Sequence, residues 1–379
     1  PLGNTARYAY SANGNLVKQT DRLGNSTGYT YDANGNMTSV TDRESRTVSY
    51  TYDLLNRLET VTEAGGITTL YTYDSVGNLT SKTDGNGNTT SYTYNLNNQL
   101  TSVETPMGYT EKLQYNLDGM LETYSNPDGR QVQYDYDVLD QLVSKTAPSD
   151  GKTGISAYGY DADGNPVSME DVTGTTDYEY DLASRLTSVT TEQGGKISYG
   201  YDVYGNITSM TYPDGGRVSY AYDDLNRMTS ITGRDGKTTA YSYDANSNLT
   251  KVTRPNGTWT EMEYDAEGRI LKLSNVKENG NIISNFNYTY DKSGYIIEET
   301  ARQDGKVVTT SYTYDSRGQL TCAIEVNEEY TQKVEYTYDN GGNRLTEKVS
   351  RTQWGATHVV TDLVNTYDKN DRLVKQTNR

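Results

Sequence analysis

Tyr29-Thr30-Tyr31-Asp32-Ala33-Asn34-Gly35-Asn36-Met37 is the stretch from which the rest of the chain can be read. Two tyrosines stand two apart, a short acidic residue follows, a glycine comes three places later, and an apolar residue comes five places later. The pattern recurs, anchored on its second Tyr, at Tyr10, Tyr31, Tyr52, Tyr73, Tyr94, Tyr115, Tyr136, Tyr160, Tyr180, Tyr201, Tyr222, Tyr243, Tyr264, Tyr290, Tyr314, Tyr338 and Tyr367. That makes about seventeen copies, most of them 21 residues apart. Self-similarity at such a period marks a repeat architecture, in which each unit contacts mainly its neighbours.

Positions are counted here from the acidic residue, so that Asp32 is zero. Tyr at −3 and −1 (Tyr29 and Tyr31, Tyr71 and Tyr73, Tyr199 and Tyr201) fall on one face of a strand, because side chains two apart point the same way. The residue between them points to the other face. Asp at zero (Asp32, Asp74, Asp202) can bond backbone N–H groups two residues on and start a turn. Position +3 is Gly in many copies (Gly35, Gly77, Gly205) and otherwise Asn, Asp or Ser, of which Gly, Asn and Asp best tolerate positive φ. Position +5 is apolar again (Met37, Leu79, Ile207). A hairpin folded about this turn sets +5 opposite the −1 Tyr and the −3 Tyr opposite +7. Position +8 is often apolar as well (Val40, Val61, Val103), so either both faces of the sheet are partly buried or a bulge re-aims the strand. A second Gly/Asn-rich turn, such as Asp84-Gly85-Asn86-Gly87-Asn88, closes each unit.

The expectation is an all-β chain: tandem β-hairpins in one long antiparallel sheet, a single array over residues 1–379. Spacing is regular over about 8–264, with longer hairpins over about 265–379 that could widen the sheet or form a rim where a neighbour docks. The step from Tyr136 to Tyr160 contains Ala147-Pro148-Ser149-Asp150-Gly151, a longer loop and the one candidate internal boundary. Two strands per copy gives about thirty-four strands. A sheet of that size cannot stay flat, because neighbouring strands twist by roughly 20° and open sheets beyond about ten strands curl. It should wind into a spiral or tube.

Apolar residues make up only 33% of the chain and the net charge is −17, a balance that ordinarily signals disorder. The 37 tyrosines argue otherwise, because they sit at fixed offsets and supply the missing core. Scattered Lys and Arg on an acidic chain argue against nucleic acid. Cys322 stands alone, so neither an intrachain disulfide nor a cysteine-based zinc site can form. No apolar run reaches the length of a membrane-spanning helix, and the N-terminus does not read as a signal peptide. Pro1-Leu2-Gly3 reads as a cloning remnant and the whole as a segment of something longer.

The repeat Tyr-x-Tyr-Asp-x-x-Gly-Asn-Leu/Met-Thr-Ser-Val at a period near 21 resembles the YD repeat of the Rhs, teneurin and Tc-toxin families, over essentially the whole chain. The resemblance implies a spiralling β-sheet that closes into a hollow shell. In bacterial toxins such a shell encloses a C-terminal toxic polypeptide, and in animal members it belongs to a cell-surface adhesion protein. The Asp-Pro-x-Gly-Leu-like motif that follows the repeats in toxin-bearing members does not occur in these residues. The resemblance therefore implies wall material from a large exported or cell-surface protein, bacterial in origin. Its partners would be the remainder of its own polypeptide, an encapsulated toxin or a cap domain.

No reaction is expected, and no catalytic residue, cofactor or metal. His358 reads as a surface or rim side chain without a nucleophile beside it, and Cys322 as a packed thiol. The Asp32–Asn36 and Asp161–Asn165 runs look like the start of a calcium loop but lack its sixth-position Gly and distal Glu. The alternative function is carbohydrate binding along exposed Tyr rows. End-to-end self-association through exposed edge strands is a further expectation.

Overall fold

A computed structural model describes residues 5–149, 152–303 and 305–379. Pro1-Leu2-Gly3, and the Asp150-Gly151 tip of the proposed loop, lie outside the described residues. The described chain holds thirty-four strands, β1 to β34, in one sheet, and each strand pairs antiparallel with the next. Where a loop was expected over Ala147–Gly151, β14 (Leu142–Ser149) and β15 (Lys152–Tyr160) instead continue as a long hairpin paired out to Ser149↔Lys152. The later copies also carry long strands, up to β33 (Ala356–Tyr367).

One copy shows how the sequence builds the unit. β3 (Ser26–Tyr31) runs into the Asp32 turn, and β4 (Met37–Thr41) returns from it. The Asp32 Oδ1 accepts from the amides of Asn34 and Asn36, both at 2.9 Å. The Gly35 amide donates to the Asp32 carbonyl. Position +3 sits in the left-handed region whichever residue fills it, with φ of 87° at Gly35, 61° at Asn56 and 60° at Asp140. Gly35→Val is therefore expected to cost about 1–2 kcal/mol, the penalty of a side chain in that region, whereas Asn56→Gly should stay within a few tenths. Equilibrium urea unfolding of the two variants checks both.

The register corrects one expectation. Tyr31 faces Met37, as the hairpin requires, but Thr30 faces Ser39 and Tyr29 faces Val40 rather than Ser39. The shift recurs in copy after copy, for example at Tyr52↔Leu58 with Tyr50↔Val61. A bulge at +6 (Thr38) inserts one extra residue into the returning strand. Because side chains alternate, that residue brings +5 and +8 to the same face as the two tyrosines. On the other face Thr30 and Ser39 pair through their hydroxyls at 2.6 Å, as do Thr51 and Thr60 at 2.7 Å.

The Tyr face is only half-buried. Val276 is the one buried apolar side chain among the described residues. This is a single-layer ribbon, with a row of packed rings where a globular protein would have a closed core. First turns such as Asp32–Asn36 lie along one margin of the ribbon, and second turns such as Asp42–Arg46 lie along the other.

Candidate functional site: the inter-repeat staple and the seam

Each copy must be held to the one before it. β4 pairs with β5 (Thr47–Tyr52) only from Ser39↔Ser49 to Thr41↔Thr47, so backbone pairing stops before Met37. The Tyr52 hydroxyl closes that gap by donating to the Met37 carbonyl at 2.9 Å. The same bond joins Tyr73 to Leu58, Tyr136 to Leu121, Tyr201 to Leu186 and Tyr264 to Leu249. It occurs in fourteen copies, at 2.6–3.1 Å. This is the physical reason the −1 position is Tyr and not Phe. A phenyl ring would supply the packing but leave the carbonyl unmet.

Position +4, which was not singled out from sequence, supplies a second link. Where it is Asn, the side chain donates backward to the Asp of its own turn and forward to the +3 residue of the next copy. Asn36 Nδ2 thus meets Asp32 Oδ2 at 2.9 Å and Asn56 Oδ1 at 2.8 Å. Where it is Arg, Nε pairs with the turn Asp and Nη1 reaches the zero-position carbonyl of the next copy. Arg57 does this with Asp53 at 2.7 Å and Asp74 at 2.6 Å, its guanidinium 4.8 Å from the Tyr73 ring centroid. Arg185, Arg227 and Arg269 repeat the arrangement. The recurrence of Asn and Arg at +4 was a readable signal.

These contacts bias the titrations. The Asn36 side chain, then the turn amides, hold Asp32 below the ordinary carboxylate range, and Asn206 does the same for Asp202. Burial pushes the Tyr52 and Tyr201 hydroxyls above their ordinary value. A lowered Asp stabilises the fold above its unfolded pKa, and that contribution is lost as pH falls through the folded value. A raised Tyr stabilises the fold below its unfolded pKa of about 10, and that contribution is lost as pH climbs through the folded value. Stability should therefore be flat between about pH 5 and 9 and fall on both sides. The denaturant midpoint followed from pH 2 to 12 measures it.

The third feature is long-range. The Arg22 amide donates to Glu267 Oε1 at 2.6 Å, and the Lys292 amide to Glu44 Oε1 at 2.8 Å. Arg317 pairs with Glu63, and Asn86 Nδ2 donates to Asp339 Oδ2 at 3.1 Å. Asn370 accepts from the Met107 amide and donates to Thr105 Oγ1, both at 3.1 Å. Second turns of copies one to five thus meet, in order, first turns of copies thirteen to seventeen. The offset is constant at twelve copies, so the ribbon winds as a spiral and the later course rests on the earlier one. Twenty-four strands per course at about 4.8 Å give a circumference of roughly 115 Å and a diameter of roughly 37 Å. Among the described residues no strand of one course pairs with a strand of the other; the seam consists of turn tips. Gly85 lies in it, where an added Cβ would stand 2.6 Å from the Asn340 carbonyl oxygen. A cavity of about 400 Å³ opens along it between Val40, Val61, Arg46, Tyr295 and Arg317.

Family models match the sequence that builds this ribbon. The RHS repeat model fits residues 10–47, 31–69, 73–110, 115–153, 160–196 and 180–217, and the teneurin YD-shell model fits 216–355. The chain belongs to the YD/RHS-repeat family. Among solved structures, this YD-repeat chain is similar to the Photorhabdus luminescens Tc holotoxin pore in a TccC3 mutant form, with a TM-score of 0.80 and 16% identity over 97% of the present chain and 22% of the other. It is likewise similar to TcdB2-TccC3-TEV, with a TM-score of 0.76, 16% identity and the same two coverages. TcdB2-TccC3-Cdc42 gives 0.73 and 15%, over 97% of this chain and 24% of that one. The YD-repeat chain therefore spans about a quarter or less of these proteins. No curated protein sequence matches it.

The remaining candidate chemistry is placed as follows. Among the described residues, no three His, Cys, Asp or Glu side chains converge as metal ligands. The Asp32 and Asp161 carboxylates, at the calcium-like runs, are occupied by the amides and Asn side chains of their own turns. Burial raises the Cys322 thiol, which keeps it protonated. His358 is exposed on β33 beside Arg351.

Proposed function

We propose that this chain is a non-catalytic wall segment of a YD/RHS-type shell in a large exported or cell-surface protein, serving to enclose or deliver a toxic polypeptide. The observation that carries this reading is the constant twelve-copy offset of the seam, because a ribbon that returns onto its own margin makes a wall around a space. The half-buried Tyr face and hydroxyl-lined opposite face fit a wall one sheet thick. The family and the Tc-toxin structures support the delivery setting, in which the partners are the rest of the polypeptide and its cargo. The −1 tyrosines spend their hydroxyls on the staple, which favours a packing role for those rows over sugar stacking.

Small-angle scattering tests the wall directly. The expected result is a pair-distance distribution skewed to long distances, as a hollow particle gives. A symmetric distribution typical of a solid body would sink the proposal. In the parent protein, cargo protected from protease until the seam is opened would support delivery.

A further inference from the structure

Ten turn tips meet along the seam, and one facing pair differs in chemistry from the rest. Asn is followed by Gly at Asn13, Asn34, Asn86, Asn256, Asn279 and Asn340. Two of these six face each other across the seam: Asn86 in the second turn of copy four and Asn340 in the first turn of copy sixteen. The other eight docked tips contain no Asn-Gly pair. The fit at this point leaves no slack. An added Cβ at Gly341 would stand 2.5 Å from Asn86 Nδ2, as one at Gly85 would meet the Asn340 carbonyl. Asn86 Nδ2 is the donor to Asp339 Oδ2, and Asp84 brings a second carboxylate, its Oδ1 accepting from the Asn86 amide at 2.9 Å. Arg317 reaches the Asp339 carbonyl at 3.2 Å but is already paired with Glu63.

We propose that Asn86 is a self-modification site, at which deamidation turns a seam bond into a repulsion and opens the seam in one direction only. The Gly87 backbone nitrogen, having lost its proton to water, attacks Asn86 Cγ. A C–N bond forms, the Cγ–Nδ2 bond breaks, and Nδ2 leaves as ammonia, carrying the proton. Water then opens the cyclic succinimide to Asp or isoaspartate, so water is the only co-reactant. Glycine permits the attack, because without a Cβ its nitrogen can be closely approached. The product presents an acceptor where Asn86 had its donor, and a negative charge against Asp339 and Asp84. Gly85 and Gly341 leave that carboxylate no room to turn aside, so the tip undocks. The step needs only the seam and holds whatever the wall encloses.

The closed seam restrains the reaction. The Gly87 amide is held on the Asp84 carbonyl at 3.0 Å, and Asn86 Nδ2 on Asp339; both must let go before attack. The reaction therefore follows opening of the tip, which no strand pairing among the described residues opposes. Asn256 is an internal reference. It stands at the same place in the second turn of copy twelve, with the Gly257 amide on the Arg254 carbonyl at 3.0 Å and none of the inter-course bonds given above.

The test ages the full chain in mildly alkaline buffer, at low and at high salt, and maps conversion by peptide mass spectrometry. Hydrogen exchange is then read at the Met107 amide, which donates across the seam one copy along, in the aged chain and in Asn86→Asp and Asn86→Ser variants. Asn86 should convert more slowly than Asn256 at low salt, and high salt, by loosening the polar seam, should narrow the difference. Asn86→Asp should speed exchange at Met107 by roughly tenfold or more. Asn86→Ser, which removes the amide without adding a charge, should speed it much less. The aged parent chain should match Asn86→Asp, which keeps the test independent of how the variant folds. Conversion at Asn256 with none at Asn86 in either salt overturns the proposal. So does Met107 exchange that is unchanged in both the aged chain and Asn86→Asp, or that rises equally in Asn86→Asp and Asn86→Ser.

Discussion

Tyr52→Phe, Tyr136→Phe and Tyr264→Phe combined are expected to lower the unfolding free energy by about 1.5–4.5 kcal/mol, at about 0.5–1.5 kcal/mol for each hydrogen bond lost. The three sites lie in separate copies and share no partner, so their effects should add. The ring and its packing survive each change; what goes is the donor to the carbonyls of Met37, Leu121 and Leu249. A midpoint shift in guanidinium unfolding, with the far-ultraviolet spectrum unchanged before the transition, is the expected readout. The variant should also lose part of the parent's alkaline transition, since three of the hydroxyls whose titration drives it are gone. An unchanged midpoint would mean that ring packing alone joins the copies.

The second large effect is on shape. Gly85→Val combined with Arg317→Ala should open the seam while leaving the ribbon folded. The valine side chain has no room against Asn340 and Ile67, an overpacking cost of about 1–3 kcal/mol, and the alanine removes the partner of Glu63. Among the described residues no strand pairing joins the courses, so what still resists separation is the turn-tip hydrogen bonds of Glu267, Glu44 and Asn370. The radius of gyration should rise, with the β spectrum retained and the denaturant midpoint nearly unchanged. Loss of the β spectrum would show that the seam and the sheet fold as one unit, contrary to the separation argued here. High salt should act in the same direction on the parent chain, because the seam contacts are polar and exposed.

The turns were legible because their chemistry is local. Asp32 bonds amides two and four residues on, and Gly35 meets a backbone requirement within the same five residues. Strand identity followed from the Tyr-x-Tyr alternation for the same reason. The bulge at Thr38 was legible only as one of two alternatives, from the apolar +8 position, because Thr38 and Ser39 suit a straight strand equally well. Only pairing with Tyr29 and Thr30 shows which of the returning residues is skipped. The staple lay between the two cases: the sequence contains 37 Tyr and one Phe, a contrast that asks for a hydroxyl partner but cannot say which carbonyl it is.

By itself, then, the sequence determined the strand–turn–strand unit, its seventeen-fold repetition and the winding of so many strands, because each depends on contacts within one copy or on the general twist of sheets. Only the tertiary structure decided that copy thirteen lands on copy one, so that Glu267 meets Arg22. That landing is the sum of small rotations over twenty-four strands, and a slight change in each would move the contact by a whole copy.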